Sequence, residues 1–433
     1  MSAEVKVRNV FTNKNFVLAF LGAFVSNTGA ILYSFAVSFY ILKLTDNNSF
    51  IQGLYLAVGG IVFIATVLFG GVISDRFHKG KIMYICDYAK GAIIIALTIL
   101  LMTVIQDNTG KVVILFILAI IGNFIAAIFS PASSSLLPHI VPQESFQQAQ
   151  SYYTLMSSFQ AILGIVLAGI LYSSIPINLL FLIVGACYIA SGVSEMFIRY
   201  NYVRSESKLT VKSAFSDIGV AFKYLTTLKP ILYLILSILF INFFLSPIES
   251  NFIPYFIATD VANNNYLLKD IMAPEMWNSI IGIAISLGSI IIAVALSTKQ
   301  KKEHIAPGLR KSFILLSICT ALFVTAYVLF ANNIYGINVS LIAIVILTFF
   351  FGALIVTINV PISTTIISVV EQDKLGKVNS LIDIGTQGLI PFANFLGGAI
   401  IASLGTSALL IACSIGFILI TVFISTSKEI AKM

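Results

Sequence analysis

The sequence predicts an all-α integral membrane protein, with twelve transmembrane helices in two pseudo-symmetric six-helix bundles. Three observations carry this. First, 58% of the 433 residues are hydrophobic and 10% are charged, with a mean hydropathy of +1.01. A water-facing globular surface needs about 25% charged residues, so a soluble enzyme is excluded. Second, the apolar residues fall in long runs, and about 20 of them in helical conformation cross a bilayer. Third, the Lys and Arg residues fall almost entirely in alternate loops.

The elements follow in order. The polar stretch 1–15 leads into an apolar run over 16–42, too long for a signal-peptide core and read as a retained first span. The other spans are expected at 51–73, 82–105, 112–136, 146–173, 177–198, 231–258, 277–297, 312–331, 338–367, 378–403 and 406–425. An even number of spans puts both termini on one side. That side receives 21 of the 25 basic residues, whereas the opposite loops hold only Lys43, Lys111 and Lys269, and Lys90 lies within a span. The positive-inside rule therefore places both termini in the cytoplasm. The same distribution accounts for the net charge of +7 without nucleic acid. Cys86, Cys187, Cys319 and Cys413 each sit in an apolar run without metal-ligand spacing and read as reduced small hydrophobes.

The longest polar stretch divides the chain into a first bundle over 1–199, a cytoplasmic linker over 200–230 and a second bundle over 231–433. Its basic and aromatic residues suit a segment lying on the inner membrane surface. The halves repeat. Pro131-Ala-Ser-Ser-Ser135 matches Pro361-Ile-Ser-Thr-Thr365, Gln150-Ser151 matches Asn379-Ser380, and Gly169 matches Gly398. Small pairs that favour close helix packing recur as Gly164/Ala168 and Ala393/Gly397. Six spans per half make the repeats parallel, which is the plan of a rocking transporter with its substrate between the halves.

The most specific motif is Gly71-Val-Ile-Ser-Asp75-Arg76-Phe-His-Lys79-Gly-Lys81, between spans two and three. It resembles the Gly-x-x-x-Asp-Arg-x-Gly-Arg-Lys loop of the major facilitator superfamily, with His78 at the usual Gly and Lys79 at an Arg. Phe129-Ser-Pro131 through Leu136-Leu-Pro138 and Val141-Pro142 is similar to the superfamily's drug, macrolide and enterobactin exporter branch. So are Asn359-Val-Pro361 and Gly376-Lys377-Val378. Ala161-Ile-Leu-Gly164 resembles that branch's antiporter motif, with Ile165 in place of its Pro. The resemblance implies the major facilitator fold, a gating loop of Gly71, Asp75, Arg76, Lys79 and Lys81, and a cavity lined by spans one, four, seven and ten.

Those four spans carry polar faces. Asn27, Ser34 and Ser38 share one face of span one, and Asn123 and Ser130 one face of span four. Asn242, Ser246 and Glu249 line up on span seven, and Asn359 lies on span ten. Ionisable groups inside a membrane cost about 2.5–3.5 kcal/mol or more, so they are functional candidates. Glu249, Asp87 and Asp383 are the proton-coupling candidates. Glu249 stands between Pro247 and Pro254, where the helix is expected to break. Asp87 and Lys90, three residues apart, are expected to pair, and Glu195 is expected at the surface with Arg199 one turn on.

The expected function is secondary active transport: proton-coupled efflux of an amphiphilic, drug- or macrolide-like molecule by a monomeric multidrug-resistance-type antiporter in a bacterial plasma membrane. A siderophore or lysophospholipid substrate is the alternative, and a channel or non-transporting receptor a distant one. The three histidines all lie in inner loops, and the chain has no H-E-x-x-H pattern, so neither an enzyme, a metal site nor a cofactor is expected.

Overall fold

A computed structural model describes residues 9–200, 219, 222–297 and 304–432. Among them lie twelve helices long and apolar enough to cross a membrane, and no strand. They are α1 (Lys14–Leu44), α2 (Ser49–Arg76), α3 (Lys79–Thr103), α4 (Asn108–Ile140), α5 (Phe146–Ser174) and α6 (Ile177–Met196). After the linker, most of which lies outside the described residues, come α7 (Lys229–Val261), α8 (Met276–Ser297) and α9 (Ala306–Ala331). The last three are α10 (Ile337–Val369), α11 (Gln372–Leu404) and α12 (Thr406–Thr426). The largest departures from the expected limits are at α9 and α11, which each begin six residues earlier. The added residues of α11 are mostly polar and those of α9 include Pro307, Gly308, Arg310 and Lys311, so hydropathy alone stops short of them. Pro307 in the first turn of α9 lacks only an N–H that has no intrahelical acceptor there.

Local chemistry sets the helix ends. Asp107 accepts the Gly110 N–H at 2.7 Å and caps α4. His78 accepts the Lys81 N–H through Nδ1 at 3.3 Å and caps α3. Gly405, at φ +87°, makes the turn from α11 into α12, a conformation open to glycine without strain.

The helices form two compact units. One holds Met1–Tyr40 and Val58–Ala214; the other holds Ile41–Ala57 and Phe215–Met433. The α1–α2 hairpin tip thus belongs to the second unit. In the first unit Phe16, Ile82, Met83, Ala132 and Leu136 form a core shared by α1, α3 and α4. In the second, Phe252, Phe256, Phe323, Tyr327 and Phe351 make a chain of edge and stacked ring contacts that ties α7 to α9 and α10.

The internal repeat is visible in these packings. Ser135 Oγ donates to Pro131 O at 2.6 Å in α4, and Thr365 Oγ1 donates to Pro361 O at 2.8 Å in α10. Pro131 cannot donate to the Ala127 carbonyl, and Gly70 of α2 packs directly against that carbonyl. In the second unit α8 and α10 also cross at a glycine, with Gly288 against the Phe349 carbonyl, although Phe349 lies earlier in its helix than the repeat mate of Ala127. Gly164 lies against Ile31 of α1, and Gly397 lies against Pro247 of α7. The alanines of the two small pairs, Ala168 in α5 and Ala393 in α11, are 0% and 1% exposed.

Candidate functional site

In the first unit, α1, α2, α3, α4 and α6 line an open cavity of about 400 Å³. Asn27, Lys90, Ser130 and Ser133 bring polar groups to it, and Phe63, Phe129 and Tyr188 form apolar wall. Asn27 and Ser130, from the polar faces of spans one and four, both line it. Asp87 lines the same cavity, although it is only 3% exposed. Ala168 and Gly164 of α5 take no part in the lining. Ala168 is sealed inside the packing and has no surface to offer a ligand, so this small pair is not part of the site.

Asp87 and Lys90 are not in ion-pair contact. The Lys90 ammonium instead sits 4.5 Å from the centre of the Tyr188 ring, a cation–π arrangement. Asp87 stands within hydrogen-bonding reach of Ser191, and its Oδ2 has no partner. Ser191 Oγ donates to the Gly22 carbonyl at 2.9 Å, which fixes α6 against α1.

Glu195 is not the surface residue that its place at the end of a span suggests. It is fully buried, and neither carboxylate oxygen has a hydrogen-bond partner. It packs beside Gly22 and within electrostatic range of Asp87. The reason is the packing of α3 on α6: Gly91 and Gly185 let the two backbones cross closely and carry Asp87 and Glu195 inward on facing sides. The sequence signal for Glu195 was present, a carboxyl inside an apolar run, but Arg199 one turn later gave it a false partner.

The gating-loop residues fall at the junction of α2 and α3. Lys79 is buried, and its Nζ donates to Ser74 O at 3.0 Å, where an ammonium suits the last turn of α2. Arg76 and Lys81 are exposed. A Cβ on Gly71 would meet nothing within 4 Å, so the close helix crossing expected of it lies one residue earlier, at Gly70. Asp75 stands in the last turn of α2 and Asp383 in α11, and both side chains lie outside the described residues.

The second unit places the remaining residues. Around Glu249 the helix α7 is broken into two π segments, Ile248–Phe252 and Ile257–Val261. Glu249 itself is exposed. Asn242 Nδ2 donates to its own helix at Ile238 O, 2.9 Å away, and Ser246 Oγ donates to Asn394 Oδ1 of α11 at 2.8 Å. Asn359 is half-buried. In the first unit, Asn123 Nδ2 donates to Ala119 O at 2.8 Å and faces Gly59. Ser34 is exposed and Ser38 half-buried, and neither lines the cavity. Gln52, Asn251 and Asn394 are buried polar residues of the second unit that the sequence pattern did not single out. Among the described residues no group of three or more His, Cys, Asp or Glu could hold a metal ion.

Comparison with known proteins fits this architecture. The sequence profile of the Major Facilitator Superfamily matches residues 19–382. The uncharacterized MFS-type transporter YkuC of Bacillus subtilis (strain 168) is 24% identical over 87% of this chain and 83% of its own. YvqJ of the same organism, also an uncharacterized MFS-type transporter, is 26% identical over 67% and 63%. Among solved structures, a bacterial homologue of the iron transporter ferroportin, in an inward-facing state, superposes with a TM-score of 0.68 at 16% identity, covering 96% of this chain and all of that one. A D-xylose–proton symporter gives 0.69 at 13% identity over 96% and 98%. At these identities the structures speak for the fold alone. On the family match, with twelve spans and a half-by-half repeat behind it, the chain belongs to the major facilitator superfamily and is a multi-pass secondary transporter, not an enzyme.

Proposed function

We propose that this protein is a proton-coupled exporter of an amphiphilic, drug- or macrolide-like small molecule in a bacterial plasma membrane, monomeric and with both termini inside. The observation that supports it best is the placement of Asp87 and Lys90 in the wall of one cavity of the first unit, with the fully buried Glu195 behind the wall and within electrostatic range of Asp87. Lys90 balances one carboxylate. The second is a buried negative charge without a partner, which a low-dielectric site tolerates only if something neutralises it. A proton does so, and so does a singly charged cationic group on a substrate seated against Phe63, Phe129 and Tyr188. The two ligands then exclude one another, which is the condition for exchange. Of the three carboxylates that sequence nominates, Asp87 is the one this reading favours. Glu249, exposed on α7, and Asp383 stay nominees by position only. The charge bias of the loops supports the orientation, and the exporter-branch motifs support the direction.

One observation favours a second reading. Asn27, Ser130 and Ser133 form no hydrogen bond among the described residues, so with the Lys90 ammonium they offer donors to an anionic head group. A siderophore or lysophospholipid carries such a group. An anion at Lys90 and a proton at Asp87 would bind together, giving co-transport instead of exchange.

The test uses purified protein in liposomes with an imposed pH gradient, a pH dye in the lumen, and ethidium or a fluorescent lysophospholipid as probe. Exchange predicts that ethidium flux drives protons the opposite way, and that Asp87→Asn abolishes this but keeps ethidium counterflow. Proton movement in the same direction as the lysophospholipid selects the second reading. Proton-free flux of both probes rejects both.

A further inference from the structure

The buried polar seam of the second unit has no place in proton coupling, and its hydrogen bonds are unevenly met. Pro254 has no N–H, so it cannot donate to the Ser250 carbonyl one turn back. Gln52, on the α1–α2 hairpin tip, fills that vacancy with its Nε2 at 3.2 Å. Three residues earlier, Ser49 Oγ donates to the Gly398 carbonyl of α11 at 3.2 Å. Between these two bonds the backbones of the hairpin and α11 cross at Gly53 and Gly398. A Cβ on Gly53 would stand 2.6 Å from Asn394 O and 2.9 Å from Gly398 Cα. Ser49 and Gln52 are 2% and 1% exposed. Beside this crossing, Asn251 packs on Gly397 with 0% exposure, and neither atom of its amide has a partner.

We propose that this seam is a reversible latch holding the tip of the α1–α2 hairpin, with Gln52 as the residue that closes it and Asn251 as the residue that keeps it releasable. The proline break in α7 creates the acceptor, and Gln52 reads it. A carbonyl without its helical donor keeps both lone pairs free for a side-chain amide from a neighbouring element. The Gly53–Gly398 approach brings that amide within reach. Asn251 works against closure. Its unmet amide penalises the packed seam, and the penalty lifts once the hairpin parts and water enters. A transporter must release every closed gate within its cycle, and a seam in which all polar groups were satisfied would hold too well. Both residues are positioning residues, since neither is placed against substrate.

The experiment is hydrogen–deuterium exchange on full-length protein in lipid nanodiscs, following amides 45–53, with α3 and α6 as internal controls. Gln52→Leu is expected to speed exchange of the hairpin roughly tenfold, and Asn251→Leu to slow it by a similar factor, both without change in the controls. Pro254→Ala restores a helical N–H for Ser250 O. In that background Gln52→Leu is expected to have little further effect, which separates the proposed contact from general loosening. Exchange in Gln52→Leu equal to that of the parent protein overturns the latch. Faster exchange in Asn251→Leu overturns the role given to Asn251. Should Asn251→Leu fail to fold, Asn251→Ala gives the same reading. The two Gln52→Leu measurements, with and without Pro254→Ala, decide the latch regardless.

Discussion

The α3–α6 pair of the first unit and the α9–α12 pair of the second occupy the same places in the repeat but bury opposite chemistry. Between α9 and α12, Ser317 Oγ and Thr421 Oγ1 lie 2.7 Å apart, Ser317 reaches the Phe417 carbonyl at 3.1 Å, and Thr421 donates to Phe313 O at 3.0 Å. These groups are neutral and hydrogen-bonded; a charge, Arg310, stands only in the second turn of α9, where it reaches the Ser427 carbonyl just beyond α12 at 3.4 Å. Between α3 and α6 stand Asp87, Lys90 and Glu195, with three carboxylate oxygens unmatched. The repeat shows what a purely structural solution looks like at this position. The first unit departs from it at a cost that packing does not offset, and such a departure from internal consistency marks a working site.

The sharpest way to break this comparison is to exchange the chemistry. Ser317→Asp buries an unpaired carboxylate in the second unit and is expected to cost at least about 3 kcal/mol, seen as a collapse of the thermal midpoint in detergent or a failure to accumulate in the membrane. Glu195→Gln removes the corresponding burden from the first unit. It is expected to raise the midpoint while proton-driven transport is lost. A Ser317→Asp protein as stable as its parent would mean that the second unit tolerates charge equally, and the contrast would lose its meaning.

Two glycines sharpen the comparison further. A Cβ on Gly398 would run into the Ser49 carbonyl, a backbone atom that cannot swing aside. A Cβ on Gly22 would meet Glu195 Cγ at 3.1 Å and Ser191 Oγ at 3.3 Å, both on side chains that can yield. Gly398→Ala is therefore expected to destabilise by about 1–3 kcal/mol. Gly22→Ala is expected to cost less in melting temperature and to show itself instead in coupling, because it displaces Glu195. Equal midpoints for the two variants would argue against a rigid crossing at Gly398.

Much of this was legible before the fold was known, and the limits have physical reasons. The spans, their order and the repeat are written in local sequence: apolar length, charged loop ends, and a proline at the same depth of α4 and α10. The break in α7 was legible from Pro247 and Pro254, because a missing N–H acts on its own helix. What a side chain meets across a helix interface is not local. Glu195 ends a hydrophobic run with an arginine nearby and looked solvated, yet the Gly91–Gly185 crossing draws it inside. Gln52 and Asn251 are single amides in apolar runs, and only the partner element shows that one bonds to α7 and the other to nothing. The same limit explains why Gly71 stood out by motif while Gly70 makes the contact.

The smallest expected effect tests the one place where the motif loop departs from its family. His78 replaces the usual glycine and caps α3 through an unprotonated Nδ1, with its ring 4.4 Å from that of Tyr200. Its pKa lies below the ordinary 6.5, because burial disfavours the imidazolium and Lys81 then adds positive charge, with a smaller contribution from Lys79. A protonated ring also loses the lone pair that accepts the Lys81 N–H. The sign follows from linkage. The unfolded chain binds the proton first as pH falls below about 6.5, so the stability held by neutral His78 is complete above that value and drains as pH drops toward the lowered folded value. His78→Asn keeps a capping acceptor that does not titrate. The difference in thermal midpoint between the two proteins is expected to be flat from pH 8 to 7 and to widen below 6.5 in favour of the asparagine variant, by less than about 1 kcal/mol. His139, whose ring lies 5.7 Å from that of Tyr200, is left unchanged in both proteins. A difference that stays constant down to pH 5 would show that His78 caps α3 without sensing pH.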